Sequence, residues 1–394
     1  MTEHEVGEAG PKGLASRLVE AGALTADWLP AYEAVPREGF VPDVMWPGQV
    51  EGVGQGEAVN RRADPGRWLR AVYSDVSLTT QWDDGKHSDP TVKGKSPTCS
   101  NSQPSMVFSM LAALDVQEGS RVLEVGTGTG WNAALLSERV GSHNVVTVEL
   151  DPENAMSART RIEAAGYHPS TIVGDGAAGH PDAAPYDRVL ITASMTKIPR
   201  ELVSQVRTGG VIVAPFTTTY GSGAVVRLTV QEDGDASGPF VASSAFMRIR
   251  QQRTVRKHTR EYLRGLPWPA DGVQSTTRLS PDDVGGWLEM FAIGLTTTEV
   301  FPWMEEYADG SYTLWLRDMA VTSWATVDYV PGQETFEVYQ SGPRVLWDEV
   351  SAAYAWWDQE GRPGFARLGL TVDARTGAHT PWLDSPDHRV PVMG

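Results

Sequence analysis

Between Val122 and Gly130 the chain reads Val-Leu-Glu-Val-Gly-Thr-Gly-Thr-Gly, and the helical pattern Trp131–Val140 follows at once. An apolar strand that turns through three closely spaced glycines into a helix leaves few folds open, because glycine allows a tight turn and a close approach of backbone to ligand. The flanking sequence repeats the alternation. Arg121–Val125, Val145–Val148, Thr171–Val173, Asp187–Thr192 and Gly210–Ala214 are near-continuous apolar runs, the pattern of strands buried on both faces of a parallel sheet. Pro152–Ala165 and Pro199–Val206 lie between them with helical character. Such alternation predicts an α/β fold with a doubly wound, Rossmann-like sheet.

Acids sit at the ends of three of these runs. A dinucleotide loop reads G-x-G-x-x-G, whereas this one reads G-x-G-x-G with Glu124 two residues before Gly126. A carboxylate there repels a pyrophosphate and suits a cationic cofactor such as S-adenosyl-L-methionine, which leaves as S-adenosyl-L-homocysteine. Glu149 ends the second run, where Rossmann-type chains place the acid that accepts from ribose hydroxyls. Asp175, within Val173-Gly-Asp-Gly176, ends the third and is placed to accept from an adenine amino group. The candidate cofactor site is therefore Glu124, Gly126, Thr127, Gly128, Thr129, Gly130, Glu149, Leu150, Asp175 and Gly176. The plainer alternative is a glycine turn with helix-capping acids.

At 394 residues the chain has room for two or three domains of about 150 residues. Residues 1–252 read as the cofactor-binding domain, interrupted by a polar, lid-like insertion at 81–97. Residues 253–394 change character: nine of the 14 tryptophans lie there, and runs such as Tyr312–Leu316, Thr335–Tyr339 and Arg367–Val372 suggest a separate α+β extension domain that recognises substrate. The net charge of −17 disfavours nucleic-acid partners. No apolar run is long enough for a membrane span, and the N-terminus has no signal-like segment. With a single cysteine, Cys99, the expected setting is the cytoplasm. No Cys/His/Asp cluster has metal-ligand spacing, so no metal is expected. Oligomeric state is not legible.

Several further segments resemble the protein-L-isoaspartate O-methyltransferase family. Ala34-Val-Pro-Arg-Glu-Gly-Phe-Val-Pro42, Tyr73-Ser-Asp-Val-Ser-Leu78, Ser102-Gln-Pro104, Ala184-Pro-Tyr-Asp187 and Thr208–Pro215 are similar to that family's ordered motifs, over about Leu14 to Gln252. The resemblance implies a methyltransferase fold, Ser102 as the catalytic residue, and Cys99, Ser100 and Asn101 beside the cofactor. The insertion Gln81–Pro97, the segment Ile191–Pro199 and the long C-terminal addition depart from the family's repair enzymes. Chains so extended look like actinobacterial members that methylate an aspartate in a ribosomally made, macrocyclic precursor peptide, the ester then collapsing to an aspartimide. That is the reading the sequence favours, with repair of isoaspartyl residues in damaged proteins as the alternative. A binding module without turnover is a third, and a nucleic-acid methyltransferase, lacking an N/D-P-P-Y-type motif, a fourth.

The chemistry makes few demands. An aspartyl carboxylate is ionised at neutral pH, so no general base is needed. The protein must aim an oxygen at the methyl group and exclude water. A neutral donor such as the Ser102 hydroxyl orients a carboxylate without quenching it, although a helix cap before Pro104 is the other reading of that serine. Cys99 has no paired histidine and reads as pocket lining. Gln103, Ser194, Lys86 and Arg256 are candidate substrate contacts. Arg256 and Lys257 lie in a basic stretch, Arg248–Arg264, that reads either as a track for an acidic peptide or as a salt-bridged helical face. The adjacent Trp356 and Trp357 cannot both face one core on a strand, and one of them is a candidate peptide contact.

Overall fold

The structure is a computed structural model that describes residues 10–50, 53, 56–87, 89, 91–255 and 257–394. A small N-terminal sheet comes first: β1 (Val44–Pro47), β2 (Val59–Asn60), β3 (Leu78–Trp82) and β4 (Pro97–Asn101), in the order β2-β1-β3-β4. The central sheet is built from β5 (Val122–Val125), β6 (Val145–Glu149), β7 (Ser170–Val173), β8 (Tyr186–Ile191), β9 (Val206–Thr217), β10 (Gly223–Val230) and β11 (Ala236–Ser243). β5 to β9 run parallel, and β10 and β11 return antiparallel. Each of the five apolar runs read from the sequence is one of these parallel strands.

The period of two along these strands splits the interior into two cores. Val122, Leu190, Val211, Val213 and Val225 face one; Leu123, Val125, Val189, Ile191, Ile212 and Ala214 face the other. Helices Pro104–Leu114 and Trp131–Val140 pack on the first face. Helix Pro152–Ala164 begins with proline in its first turn, and the Asp151 carboxylate accepts from the amides of Glu153 and Asn154. Helix Pro104–Leu114 is capped otherwise. Its N-cap residue is Gln103, and Asp75 Oδ1 accepts from Ser105 N, so Ser102 is not its cap.

The C-terminal region does not divide from the rest at residue 252. Strands β12 (Val273–Thr277), β13 (Val300–Glu306), β14 (Tyr312–Asp318), β15 (Trp324–Tyr329) and β16 (Phe336–Ser341) form a separate antiparallel sheet in the order β12-β16-β15-β14-β13. Two last strands, β17 (Leu368–Val372) and β18 (His379–Leu383), instead join the central sheet, β17 pairing with β11. An uncovered β11 would present an unpaired strand edge, and β17 occupies it. Helix Trp287–Thr296 ties the units together, with Phe291 in the second core and Ala292 and Ile293 in the core of the five-stranded sheet. The expected boundary between 252 and 253 is therefore corrected: residues 253–394 supply both a sheet of their own and the edge of the central one.

Three other expectations change here. Trp356 and Trp357 lie on helix Leu346–Gln359; Trp357 is buried with its indole N–H on Pro363 O, and Trp356 packs against two cores. Neither is a free peptide contact, because helical geometry turns both inward. Among its described residues the stretch 248–264 is a strap with a 3-10 turn, Arg250–Gln252, and a short helix, Thr259–Tyr262, rather than a continuous helical face. The described residues of the insertion are held at its base. Asp83 accepts from the amides of Lys95 and Ser96 and contacts His87, which pins the two ends of the loop together.

Candidate active site

The carboxyl ends of the parallel strands open into a cavity of about 720 Å³, within the roughly 300–1,000 Å³ of small-molecule sites. It lies where β5 sits between β6 and β8, the point at which the strand order reverses. The loop after β5 forms its floor. Gly126 has φ +97°, and a Cβ there would lie 2.6 Å from Thr192 Oγ1. Gly130 has φ +91°, and its Cβ would lie 2.9 Å from Ile162 Cγ1, so glycine lets helix Pro152–Ala164 close on the loop. Thr127, Gly128 and Thr129 line the cavity between them.

Glu149 faces this floor. One carboxylate oxygen accepts from Gly128 N at 2.9 Å and the other from Asp151 N at 3.0 Å. Leu150 and Gly176 line the same end. A glycine cradle facing a fixed carboxylate fits the sugar and amino-acid parts of S-adenosyl-L-methionine, and Glu149 with the Gly126–Thr129 backbone would hold them.

Two expected acids lie elsewhere. Glu124 does not line the cavity: its side chain is fully buried on the first-core face, accepting from Thr147 Oγ1 at 2.6 Å and Asn132 Nδ2 at 2.7 Å. Burial pushes its carboxyl up to about 7, against the lowering by Thr147 and Asn132. Thr147 also contacts Thr127 Oγ1 at 2.6 Å, so Glu124 acts on the loop from behind. Asp175 is exposed, and it caps the turn after β7 through Ala177 N while accepting from Gln251 Nε2 at 2.6 Å. Asp175 is not among the residues that line the cavity, but its partner Gln251 is.

Opposite the glycine floor stands the turn Cys99–Gln103, every residue of which lines the cavity. A buried arginine holds it. Arg37, 1% exposed, donates to Asn101 Oδ1, Asn101 O and Ser102 O on this turn, and to Val72 O, Ser74 O and Val76 O on the preceding segment. Asn101 then donates to Thr129 Oγ1 at 3.0 Å, joining the turn to the glycine loop. Gln103 donates to Asp75 Oδ2. The Ser102 hydroxyl makes no hydrogen bond among the described residues. Burial pushes the Cys99 thiol up to about 11, so it is protonated at neutral pH.

The strap covers the cofactor end. Arg250 pairs with Asp84 at 2.8 Å and with Asp151 at 2.9 Å, Arg253 pairs with Asp84 at 2.8 Å, and Gln81 donates to Asp151. Although burial raises the Asp151 carboxyl, Arg250 and Gln81 outweigh it and hold the group below its ordinary range. At the other end lie Ser194, Thr217, Ser222, Gly223 and Trp287. Ser194 is buried, its backbone bonded to Met247 O and Ile249 N. Lys86 lies outside this cavity, in a shallow polar hollow with Asp83, His87 and Lys95, because the pinned loop carries it outward. Arg256 lies outside the described residues. Among the described residues no group of three or more His, Cys, Asp or Glu is placed to hold a metal ion, and no helix is long and apolar enough to cross a membrane.

Sequence reasoning passed over Arg37, Asp75, Asn132, Gln251 and Trp287. Arg37 and Asp75 stand inside quoted motifs, and an arginine framed by Val35, Phe40 and Val41 was a usable sign of burial. Nothing local marks the others.

Residues 70–254 match the family model described as protein-L-isoaspartate(D-aspartate) O-methyltransferase (PCMT). A protein-L-isoaspartate O-methyltransferase of Hyperthermus butylicus is 41% identical over 218 residues, which are 52% of this chain and 75% of that protein. One from Ignicoccus hospitalis is 41% identical over 135 residues, 34% of this chain and 64% of that protein, so the chain spans a little under two-thirds of that relative. A solved structure titled protein-L-isoaspartate O-methyltransferase aligns with a TM-score of 0.49 at 20% identity, covering 92% of this chain and 96% of the other.

Proposed function

The chain belongs to the protein-L-isoaspartate(D-aspartate) O-methyltransferase family, and on that premise we propose that it methylates the free carboxylate of an isoaspartyl residue in a protein or peptide. The observation that carries this reading is one cavity shared by the Glu149–glycine floor and the Arg37-clamped Ser102 turn. The cofactor S-adenosyl-L-methionine, when bound, supplies a methyl group on a positively charged sulfur. The chain's own residues have a lighter task. The acceptor is already ionised at neutral pH, so no residue has to take a proton from it. Ser102 offers a neutral donor to orient one oxygen, and the strap with its Arg250 pairs keeps water from the cofactor end.

The test is methylation of a synthetic isoaspartyl peptide, read as a base-labile ester. Ser102→Ala should lower kcat by about 10- to 100-fold, the effect of losing one hydrogen bond to a charged group. Absence of any ester from protein that binds S-adenosyl-L-homocysteine would refute the proposal. A second reading is that the acceptor is an aspartate of a ribosomally made precursor peptide, with collapse to an aspartimide. It is favoured by Trp287, which lines the acceptor end although it lies outside the family-matched residues 70–254. Turnover of a macrocyclic precursor with net loss of water, and none on the isoaspartyl peptide, would select it.

A further inference from the structure

We propose that Trp287 is a specificity-determining residue: a rigid aromatic shelf for an apolar side chain that flanks the acceptor carboxylate. The inference rests on the carboxyl-methylation reading and adds what the acceptor must carry beside its acid. The cavity runs across the sheet edge. Glu149, Leu150 and Gly176 mark one end, at β6 and β7, while Thr217, Gly223 and Trp287 mark the other, at the β9–β10 turn. A cofactor seated on the glycine floor leaves that second end to the acceptor.

Trp287 is fixed there from several sides. Its indole N–H donates to Gly223 O at 3.0 Å, and its carbonyl accepts from Ser222 Oγ at 2.8 Å. It opens helix Trp287–Thr296, whose Phe291 ring meets Phe240 edge-on with centroids 4.8 Å apart. Met290 lies so close to Gly221 that a Cβ there would sit 2.4 Å from Met290 Cε. With its one polar atom satisfied by the main chain and 46% of the residue still exposed, Trp287 presents its apolar ring to the cavity. Its neighbours Thr217, Ser222, Gly223 and Ser244 are uncharged, so this end offers contact area and no ion pair of theirs for an acidic side chain. Fixed aromatic rings of this kind carry much of the energy at peptide interfaces.

The experiment compares two isoaspartyl hexapeptides that differ only in leucine or serine next to the isoaspartyl residue. Wild-type protein should prefer the leucine peptide in kcat/KM by about tenfold. Trp287→Ala should raise KM for the leucine peptide by about tenfold and for the serine peptide by less than about threefold, with S-adenosyl-L-homocysteine affinity by calorimetry unmoved. Trp287→Phe, which keeps a ring and loses the N–H donor, should retain most of the preference. No preference in the wild type, equal losses on both peptides, loss of cofactor affinity, or a Trp287→Phe variant as impaired as Trp287→Ala would each overturn the shelf. Wild-type protein that binds cofactor and methylates neither peptide would overturn the carboxyl-methylation reading itself, and the shelf with it.

Discussion

Replacing Arg37 with lysine isolates the contribution of one buried guanidinium. The wild-type side chain satisfies six oxygens: Nε serves Asn101 Oδ1, Nη1 serves Val72 O and Ser74 O, and Nη2 serves Val76 O, Asn101 O and Ser102 O. Burial lowers its pKa to about 9, partly offset by Asp75, so it remains charged at neutral pH. A lysine ammonium keeps that charge but has three protons at one point. At least three of the six acceptors therefore lose their donor in a site closed to water. At about 1–2 kcal/mol for each orphaned acceptor, three of them cost about 3–6 kcal/mol. The loss is not spread evenly, since Asn101 and Ser102 belong to the turn that lines the cavity. Arg37→Lys should lower the urea midpoint and, in protein that remains folded, lower kcat for peptide methylation more than it weakens S-adenosyl-L-homocysteine binding. A variant with wild-type denaturation and wild-type kcat would show that the guanidinium does not hold the turn.

Glu124→Gln should flatten a pH dependence. Because the folded pKa is raised from 4.5 to about 7, the native state binds the proton more tightly than the unfolded chain, so stability falls as pH rises from about 4.5 to 7 and then levels off. The full effect is at most about 3–4 kcal/mol, at about 1.4 kcal/mol for each tenfold change in proton affinity, and chemical denaturation from pH 4.5 to 8 should find the fall in the wild type and not in the variant. Glu149→Gln should weaken S-adenosyl-L-homocysteine by about tenfold or more, because an amide has one acceptor oxygen for the two amides of Gly128 and Asp151 and no charge for ribose hydroxyls; calorimetry with unchanged affinity would exclude Glu149 from the site. Arg250→Met removes the bridge between Asp84 and Asp151 and should speed ligand release several-fold, while added salt speeds release from the wild type more than from the variant. A chain ending at residue 252 should be insoluble or bind no cofactor, since it leaves the outer edge of β11 unpaired and Phe240 without Phe291; a stable, cofactor-binding fragment would restore the boundary that the structure removes.

Legibility in the sequence followed the range of the interactions. The parallel strands were readable because each is a local apolar run buried on both faces, and the glycine loop because its backbone demands are set within nine residues. Glu149 was readable for the same reason: its position after an apolar run fixes it at a strand end. Glu124 was misread because two residues before a glycine can face the cofactor or the core, and only Thr147 and Asn132, from two other elements, decide it. Asp175 stands at the end of its strand as read, but its partner Gln251, 76 residues away and in no motif, was not legible. The basic stretch was legible by half: its charges are salt-bridged, as one of its two readings had it, but on a strap and not on a helical face. Charges at short spacing suggest a helical face, yet Arg250 and Arg253 spend their charge on Asp84 in the insertion, a pairing that joins two segments the sequence offers separately.

That pairing bears on why the extension is built as it is. The insertion, the strap and the last two strands are each unremarkable alone, but all three converge on the central sheet. The insertion supplies Asp84 to the strap, and the strap supplies Gln251 to Asp175 and Arg250 to the rim of the cavity. The chain then leaves to form β12–β16, and returns to close the edge of β11. A peptide module tethered by a flexible linker would need none of these contacts. Here helix Trp287–Thr296 shares one core with the central sheet and another with the five-stranded sheet, so Trp287 is set against Gly223 by packing on both sides. Displacing that helix costs buried apolar area in two cores at once, which fixes the acceptor end of the cavity. On the shelf proposed above, a rigid acceptor end would select among peptides by shape, and that selection would fall to a residue beyond the family-matched span 70–254, in the part of the chain that also closes the edge of the central sheet.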